Sequence, residues 1–70
     1  MSLLQNSYLE LRELSRREAR AIIPFVYVAY TYGFAAFEAG DEEAGSEALR
    51  DARERYPWGK KADRAKALLD

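Results

Sequence analysis

The sequence predicts an all-α protein of three to four helices that pack as antiparallel helical hairpins. Apolar side chains recur at helical spacing in four segments of the 70-residue chain, and a proline or a glycine separates each segment from the next. The stretch most prone to form a strand, residues 25–31, has neither a hairpin turn nor a second strand to pair with. We therefore expect one small domain, residues 1–70, with helices at about 3–22, 25–39, 41–56 and 60–69.

The first predicted helix has one apolar stripe and an otherwise charged surface. The stripe comprises Leu4, Tyr8, Leu11 and Ile22. Arginines and glutamates alternate over the remaining surface, and the four Arg and three Glu of residues 1–23 leave a charge of only +1. We interpret these arginines as a solvated face rather than a phosphate-binding surface. Pro24 ends this helix, because a proline disfavours the helical conformation of the residue before it.

The second predicted helix is apolar on every side. Residues 21–37 carry no charge. Six of the nine aromatic residues of the chain lie in this stretch: Phe25, Tyr27, Tyr30, Tyr32, Phe34 and Phe37. A helix of this composition either is buried on all sides or leaves one face for a partner. Pro24 fits its first turn, where a missing N–H costs nothing, and Gly40 ends it.

The third predicted helix begins at Asp41, a residue type that caps helix N-termini, and Glu42 and Glu43 follow at the positive end of the helix dipole. Its inner stripe comprises Ala44, Ala48, Leu49, Ala52 and Tyr56. A glycine inside a helix costs stability relative to alanine, so we expect Gly45 to allow the close approach of a neighbouring helix.

The fourth predicted helix follows a break at Pro57 and Gly59. Its apolar side comprises Ala62, Ala65, Leu68 and Leu69. Trp58 precedes it beside Lys60 and Lys61, a combination that could stack on a base of a nucleic acid. The net charge of −1 gives the chain no general attraction for nucleic acid, so we interpret Trp58 as closing the end of the core.

Small residues and a Gly-Asp turn stand at specific positions in the middle of the chain. They are Gly33, the pair Gly40-Asp41, Ala52 and the closing Pro57, within a 34-residue window at 26–59. This pattern resembles a tetratricopeptide repeat, which has the same length. The chain departs from the family at Ala29, Ala36 and Glu42, where aromatic residues are common.

The resemblance implies a concave, partner-binding surface on the first helix of the repeat. The matching positions are Tyr27, Tyr30, Phe34, Phe37 and Glu38. Repeats that clamp a peptide carboxylate use Lys and Asn on this surface, but Tyr30, Phe34 and Glu38 stand in the matching places here. A terminal carboxylate is therefore a poor ligand. A single repeat needs neighbours to cover its open faces, so either the flanking helices or another copy must do so, and we expect a homo-oligomer.

The composition argues against most enzyme chemistry. The chain has no His and no Cys, which removes the usual zinc, haem and iron–sulfur ligands, the thiol nucleophile and the usual neutral-pH base. The carboxylates near residues 38–43 lack the spacing of a calcium loop. We therefore expect no catalytic residue, no cofactor and no metal. No basic leader followed by a short apolar run opens the chain, so we expect a cytoplasmic protein.

These observations predict a non-enzymatic protein–protein interaction or self-assembly module that presents an aromatic helix face, with a second copy as the expected partner. One alternative is a helical bundle, natural or designed, that binds an apolar small molecule in an aromatic pocket. A membrane-spanning helix is less favoured, because the uncharged stretch is barely long enough and contains Pro24, Gly33 and three tyrosines. The simplest alternative is that the rings only form the core.

Overall fold

The computed structural model describes residues 3–69, and within this range the chain forms four α-helices and no strand. The elements are α1 Leu3–Arg17, α2 Ile22–Glu38, α3 Glu42–Arg55 and α4 Lys60–Leu69, with a short 3-10 helix at Ala19–Ala21. The predicted all-α class is confirmed. The central element is α2, which packs on α3 as an antiparallel hairpin and also contacts α1 and α4. The molecule is flattened, with Cα extents of 30 × 29 × 15 Å.

The end of α1 differs from the prediction by five residues. The helix ends at Arg17, and Glu18 has an extended backbone with φ −131° and ψ 120°. Pro24 lies in the first turn of α2, where its missing N–H leaves no hydrogen bond unmade. The proline ring would clash with the carbonyl group of residue 20 if the helix continued through this point. The break therefore lies at Glu18, more than one helical turn before the proline, rather than next to it.

The turn between α2 and α3 follows the prediction. Gly40 has φ +91°, a conformation that glycine adopts without a Cβ penalty. Its N–H donates to the carbonyl oxygen of Phe37 at 3.1 Å, and the N–H of Asp41 donates to that of Ala36 at 2.9 Å, which together form a Schellman motif. The Asp41 carboxylate then accepts from the N–H of Ala44 at 3.2 Å, so its role as N-cap is confirmed. One short turn thus ends α2 and starts α3.

Two glycines allow α2 and α3 to approach closely. A Cβ atom on Gly45 would lie 2.6 Å from Cδ2 of Phe37 and 2.9 Å from the carbonyl oxygen of Gly33. A Cβ atom on Gly33 would lie 2.6 Å from Cδ2 of Leu49. All of these separations are shorter than ordinary contacts between heavy atoms. The expectation that Gly45 serves close helix packing is confirmed, and Gly33 serves the same contact.

The core is small and rich in alanine. Its buried apolar residues are Tyr8, Ala21, Phe25, Val26, Ala29, Tyr30, Ala36, Ala48, Leu49, Ala52, Ala62 and Ala65. The contribution of α1 is Tyr8, whose ring stacks on Phe25 and Tyr32 with centroids 5.9 and 5.1 Å apart. The Tyr8 hydroxyl donates to Oδ2 of Asp51 on α3 at 2.7 Å. Burial and this hydrogen bond raise the pKa of Tyr8 far above its ordinary value.

Candidate functional site

The aromatic side chains of α2 do not share one environment. Phe25 and Tyr30 are fully buried, Tyr32, Phe34 and Phe37 are half-buried, and Tyr27 is 61% exposed. The interpretation that all six rings form the core therefore does not hold for Tyr27. One stripe of α2 lies in the core. In the N-terminal half of the helix, the Tyr27 ring stays exposed.

Part of the predicted partner-binding face is covered by the chain's own helices. Tyr30 lies in the core at 2% exposure, and its hydroxyl donates to the carbonyl oxygen of Tyr56 at 3.0 Å. Burial raises the pKa of Tyr30. Phe37 packs beside Gly45 on α3. At this exposure Tyr30 has little surface to offer a partner, which differs from the expectation that it is a main contact.

The remaining predicted residues, which are Tyr27, Phe34 and Glu38 of α2, lie beside α4. The Arg64 guanidinium carbon lies 4.3 Å from the centroid of the Phe34 ring, and an Arg64 nitrogen lies 3.7 Å from a carboxylate oxygen of Glu38. The Nζ atom of Lys61 lies 4.3 Å from the centroid of the Tyr27 ring. These contacts place α4 over one edge of the predicted face. Of the five predicted residues, Tyr27 is the large apolar one that remains exposed.

An open cleft of about 410 Å³ lies where α2, the segment 56–59 and the start of α4 meet. It is lined by Ile23, Val26, Tyr27, Tyr30, Tyr56, Trp58, Gly59, Lys60 and Lys61. Eight large apolar side chains of residues 3–69 are exposed, and four of them line this cleft. Those four are Ile23 at 62%, Tyr27 at 61%, Tyr56 at 40% and Trp58 at 66%. We call this surface the α2–α4 cleft.

The segment between α3 and α4 forms one wall of the cleft. The hydrogen bond from Tyr30 to the carbonyl oxygen of Tyr56 attaches this segment to the core. The rings of Tyr56 and Trp58 meet edge to face, with centroids 5.3 Å apart. Gly59, at φ +94°, then turns the chain into α4. Trp58 is exposed at the cleft instead of closing the core, which corrects the prediction for this residue.

The charged groups of the cleft are cationic. Lys60 and Lys61 line it, and no Asp or Glu of the described residues does so. The apolar walls can accept an aliphatic or aromatic group, while the two ammonium groups can accept an anion beside it. Nowhere in residues 3–69 do three or more metal-ligating side chains of the His, Cys, Asp and Glu types lie together.

Sequence reasoning missed most of this cleft. Ile23, Tyr56 and both lysines were not among the predicted site residues, and Trp58 was assigned to the core. A signal was present in residues 56–61, which place two aromatic residues and two lysines around Pro57 and Gly59. Because Pro57 and Gly59 interrupt the helix, this segment forms a connection between helices, and connecting segments lie on the surface. Its aromatic side chains are therefore candidates for a surface role.

The stretch Ala19–Glu38 is long enough and apolar enough to cross a membrane, a property that core helices of soluble proteins share. In this structure it includes the 3-10 turn and the buried stripe of α2. Comparison with known proteins found no matching family model, no matching curated protein and no matching solved structure. The functional interpretation therefore rests on the geometry of the α2–α4 cleft.

Proposed function

We propose that this chain is a non-enzymatic protein-interaction module whose α2–α4 cleft receives apolar side chains of a partner. The observation that supports this proposal is the gathering of half of the exposed large apolar side chains at one cleft. Scattered exposed apolar side chains are normal on a protein surface, whereas a contiguous patch marks an interaction site. Tyr and Trp are also the residue types most enriched among the energetically important residues of protein interfaces.

The proposed binding mode places an anchor side chain of the partner between two walls. Ile23 and Tyr27 of α2 form one wall, and Tyr56 and Trp58 of the segment between α3 and α4 form another. Burying apolar surface contributes about 25 cal/mol per Å², so a single large anchor supplies only part of a stable interface. The partner therefore has to be a helix or an extended segment that also contacts the rim of the cleft.

A second copy of the chain, the partner expected from the sequence, remains one candidate. A stable interface buries about 800 Å² per partner. That area is about one sixth of the 4773 Å² surface of the chain. Sedimentation of the protein over a concentration series tests this candidate, and a substitution at Ile23 shows whether any dimer uses the cleft.

Selection from a library of displayed peptides tests the proposed function. The matched variants are Ile23→Asp, at the cleft, and Leu9→Asp, at an exposed aliphatic side chain on α1. Both side chains are largely exposed, so both variants should fold, and thermal unfolding checks this. Trp58 is the single tryptophan of the chain, so its fluorescence reports directly on the occupancy of the cleft.

We expect selected peptides to change the Trp58 emission. We also expect them to bind Ile23→Asp at least about tenfold more weakly than they bind Leu9→Asp, because a tenfold loss corresponds to about 1.4 kcal/mol of lost apolar contact. Peptides that bind both variants equally would place the interaction elsewhere on the molecule. Failure to select any peptide would argue against the proposed function itself.

The volume of the cleft favours one second candidate, a binding site for an apolar small molecule. Small-molecule sites occupy roughly 300–1,000 Å³, and the cleft has about 410 Å³. Indole is a suitable probe, with amide chemical shifts as the readout. This candidate would be favoured by two results together. Indole should bind saturably and perturb the amides of residues 23–30 and 56–61, and the peptide library should yield no binder.

A further inference from the structure

The charge at the rim of the α2–α4 cleft indicates which kind of partner the cleft accepts. We infer that its occupant is an acidic amphipathic segment of another protein, with an apolar anchor side chain flanked by carboxylates. This inference rests on the proposed function, and it goes further by specifying the partner's chemistry. It is based on the positions, contacts and missing counterions of two lysines.

Lys60 and Lys61 have no acidic partner within the described part of the chain. Six ion pairs are formed there, and they use Arg12, Arg16, Arg17, Arg20 and Arg64 as cations. Both lysines are exposed, and Lys61 holds its ammonium group 4.3 Å from the centroid of the Tyr27 ring, which is a wall of the cleft. A charge at this place lies beside any anchor that enters the cleft.

The backbone adds to the positive potential at the same point. Lys60 and Lys61 are the first two residues of α4, so they lie at the positive end of its helix dipole, where cations are unfavourable. Asp63 is the acidic residue of that first turn, and one carboxylate does not balance two ammonium groups and the dipole. Carboxylates of a partner would supply the missing negative charge.

The same lysines argue against a symmetric dimer formed by two clefts. A two-fold contact places the same patch on both sides of the interface. If the two-fold axis passes through the clefts, Lys60 and Lys61 of one copy lie close to those of the other, and like charges facing each other across an interface are strongly unfavourable. An acidic partner segment has no such conflict. This argument favours a different protein over a second copy as the occupant of the cleft.

Three synthetic peptides of equal length test the inference. They share the same leucine and phenylalanine anchors, and their flanking residues are all glutamate, all glutamine or all lysine. Affinities are measured from Trp58 fluorescence at low and high salt. The matched variants are Lys60→Gln/Lys61→Gln at the cleft and Lys66→Gln further along α4. Lys66 is also exposed and forms no ion pair within residues 3–69.

We expect the glutamate peptide to bind wild type about tenfold more tightly than the lysine peptide, with the glutamine peptide between them. Salt should reduce this preference, because it screens exposed charges. The double lysine variant should lose the preference, Lys66→Gln should keep it, and Lys60→Glu/Lys61→Glu should reverse it. The salt dependence of wild type tests the inference even if a variant fails to fold.

The two proposals fail in different ways. Equal affinity for all three peptides, with loss of binding in Ile23→Asp, would overturn the charge inference and leave the proposed function intact. Absence of binding by all three would count against both. Single-stranded oligothymidylate is the probe for nucleic acid. If it binds more tightly than the glutamate peptide, and if Lys60→Gln/Lys61→Gln abolishes that binding, the inference is overturned in favour of nucleic acid. A dimer that Ile23→Asp dissociates would overturn it in favour of a second copy.

Discussion

The substitution Gly45→Ala separates two effects that act in opposite directions. Replacing glycine by alanine inside a helix favours folding by about 1 kcal/mol through backbone propensity alone. Close packing opposes this gain, because the new methyl group would lie 2.6 Å from Cδ2 of Phe37, 2.9 Å from the carbonyl oxygen of Gly33 and 3.1 Å from the backbone nitrogen of Phe37. The sign of the change in stability therefore reports the distance between α2 and α3.

The magnitude follows from which of these atoms can move. The Phe37 ring is half-buried and can rotate away, but the two backbone atoms belong to α2 and move only if the helices separate. Overpacking of a tight core costs about 1–3 kcal/mol, and backbone displacement argues for the upper end of that range. After the propensity gain of about 1 kcal/mol, we expect a net loss of about 2 kcal/mol in the free energy of unfolding.

Thermal unfolding followed by circular dichroism measures this change. An unfolding entropy of about 2.1 cal/mol/K per residue gives about 150 cal/mol/K for 70 residues, so a loss of about 2 kcal/mol lowers the Tm by about 14 °C. Ser46→Ala, at the next position of α3, is the control for propensity and should leave the Tm equal or slightly higher. The double variant Phe37→Leu/Gly45→Ala should recover only the part of the loss that the ring contact causes.

A Gly45→Ala variant that melts at or above the wild-type temperature would refute the reasoning. Propensity would then dominate, and α2 and α3 would lie further apart than in this structure. The same result would also remove the reason for Gly33 to be a glycine, because its missing Cβ would no longer be needed for the contact with Leu49.

Three further predictions concern single side chains. The Tyr8 hydroxyl is held protonated against Asp51, so the free energy of unfolding should be at its full value below about pH 10 and should fall above it by up to about 1.4 kcal/mol per pH unit. Tyr8→Phe should reduce this slope in urea titrations from pH 8 to 11, while Tyr30, whose pKa burial also raises, contributes in the same direction. Asp41→Ala should lower the free energy of unfolding by about 1 kcal/mol through loss of the N-cap, and Asp41→Asn should lower it less. Equal melting temperatures of the two variants would contradict this prediction. Gly40→Ala should lower the free energy of unfolding by about 1–2 kcal/mol through the positive φ alone, because the new Cβ would meet no atom within 4 Å. An unchanged midpoint of chemical denaturation would disprove that backbone conformation.

Local signals allowed much of the fold to be predicted. Gly40 and Asp41 fix where α2 ends and α3 begins through hydrogen bonds to residues three to five positions away in sequence, so these boundaries could be predicted from neighbouring residues. The end of α1 could not, because Glu18 has no glycine or proline beside it to mark the change of conformation. The resemblance of residues 26–59 to a tetratricopeptide repeat remains a prediction.

The position of the site depends on contacts between distant residues. Whether Tyr27 and Phe34 face solvent is decided by α4, whose Lys61 and Arg64 lie over their rings. The path of the chain into α4 depends in turn on the bond from Tyr30 to Tyr56, 26 positions apart. Periodicity assigns side chains to faces of a helix but does not say which neighbour covers a face. The sequence analysis therefore included Tyr27 and Tyr30, which line the α2–α4 cleft, but not the cleft residues outside α2.

The attachment of α4 has a consequence for the dynamics of this surface. Its buried residues are Ala62 and Ala65, whose side chains are single methyl groups, and Leu69 is partly buried against the core, so fewer large buried side chains hold this helix than hold α2. We expect α4 to detach at a lower free energy than α2 or α3, and its amide protons to exchange with solvent first. Detachment would uncover Phe34 and remove Lys61 from the cleft. One surface of α2 would then alternate between a short cleft and a long aromatic strip, and a partner could select either state.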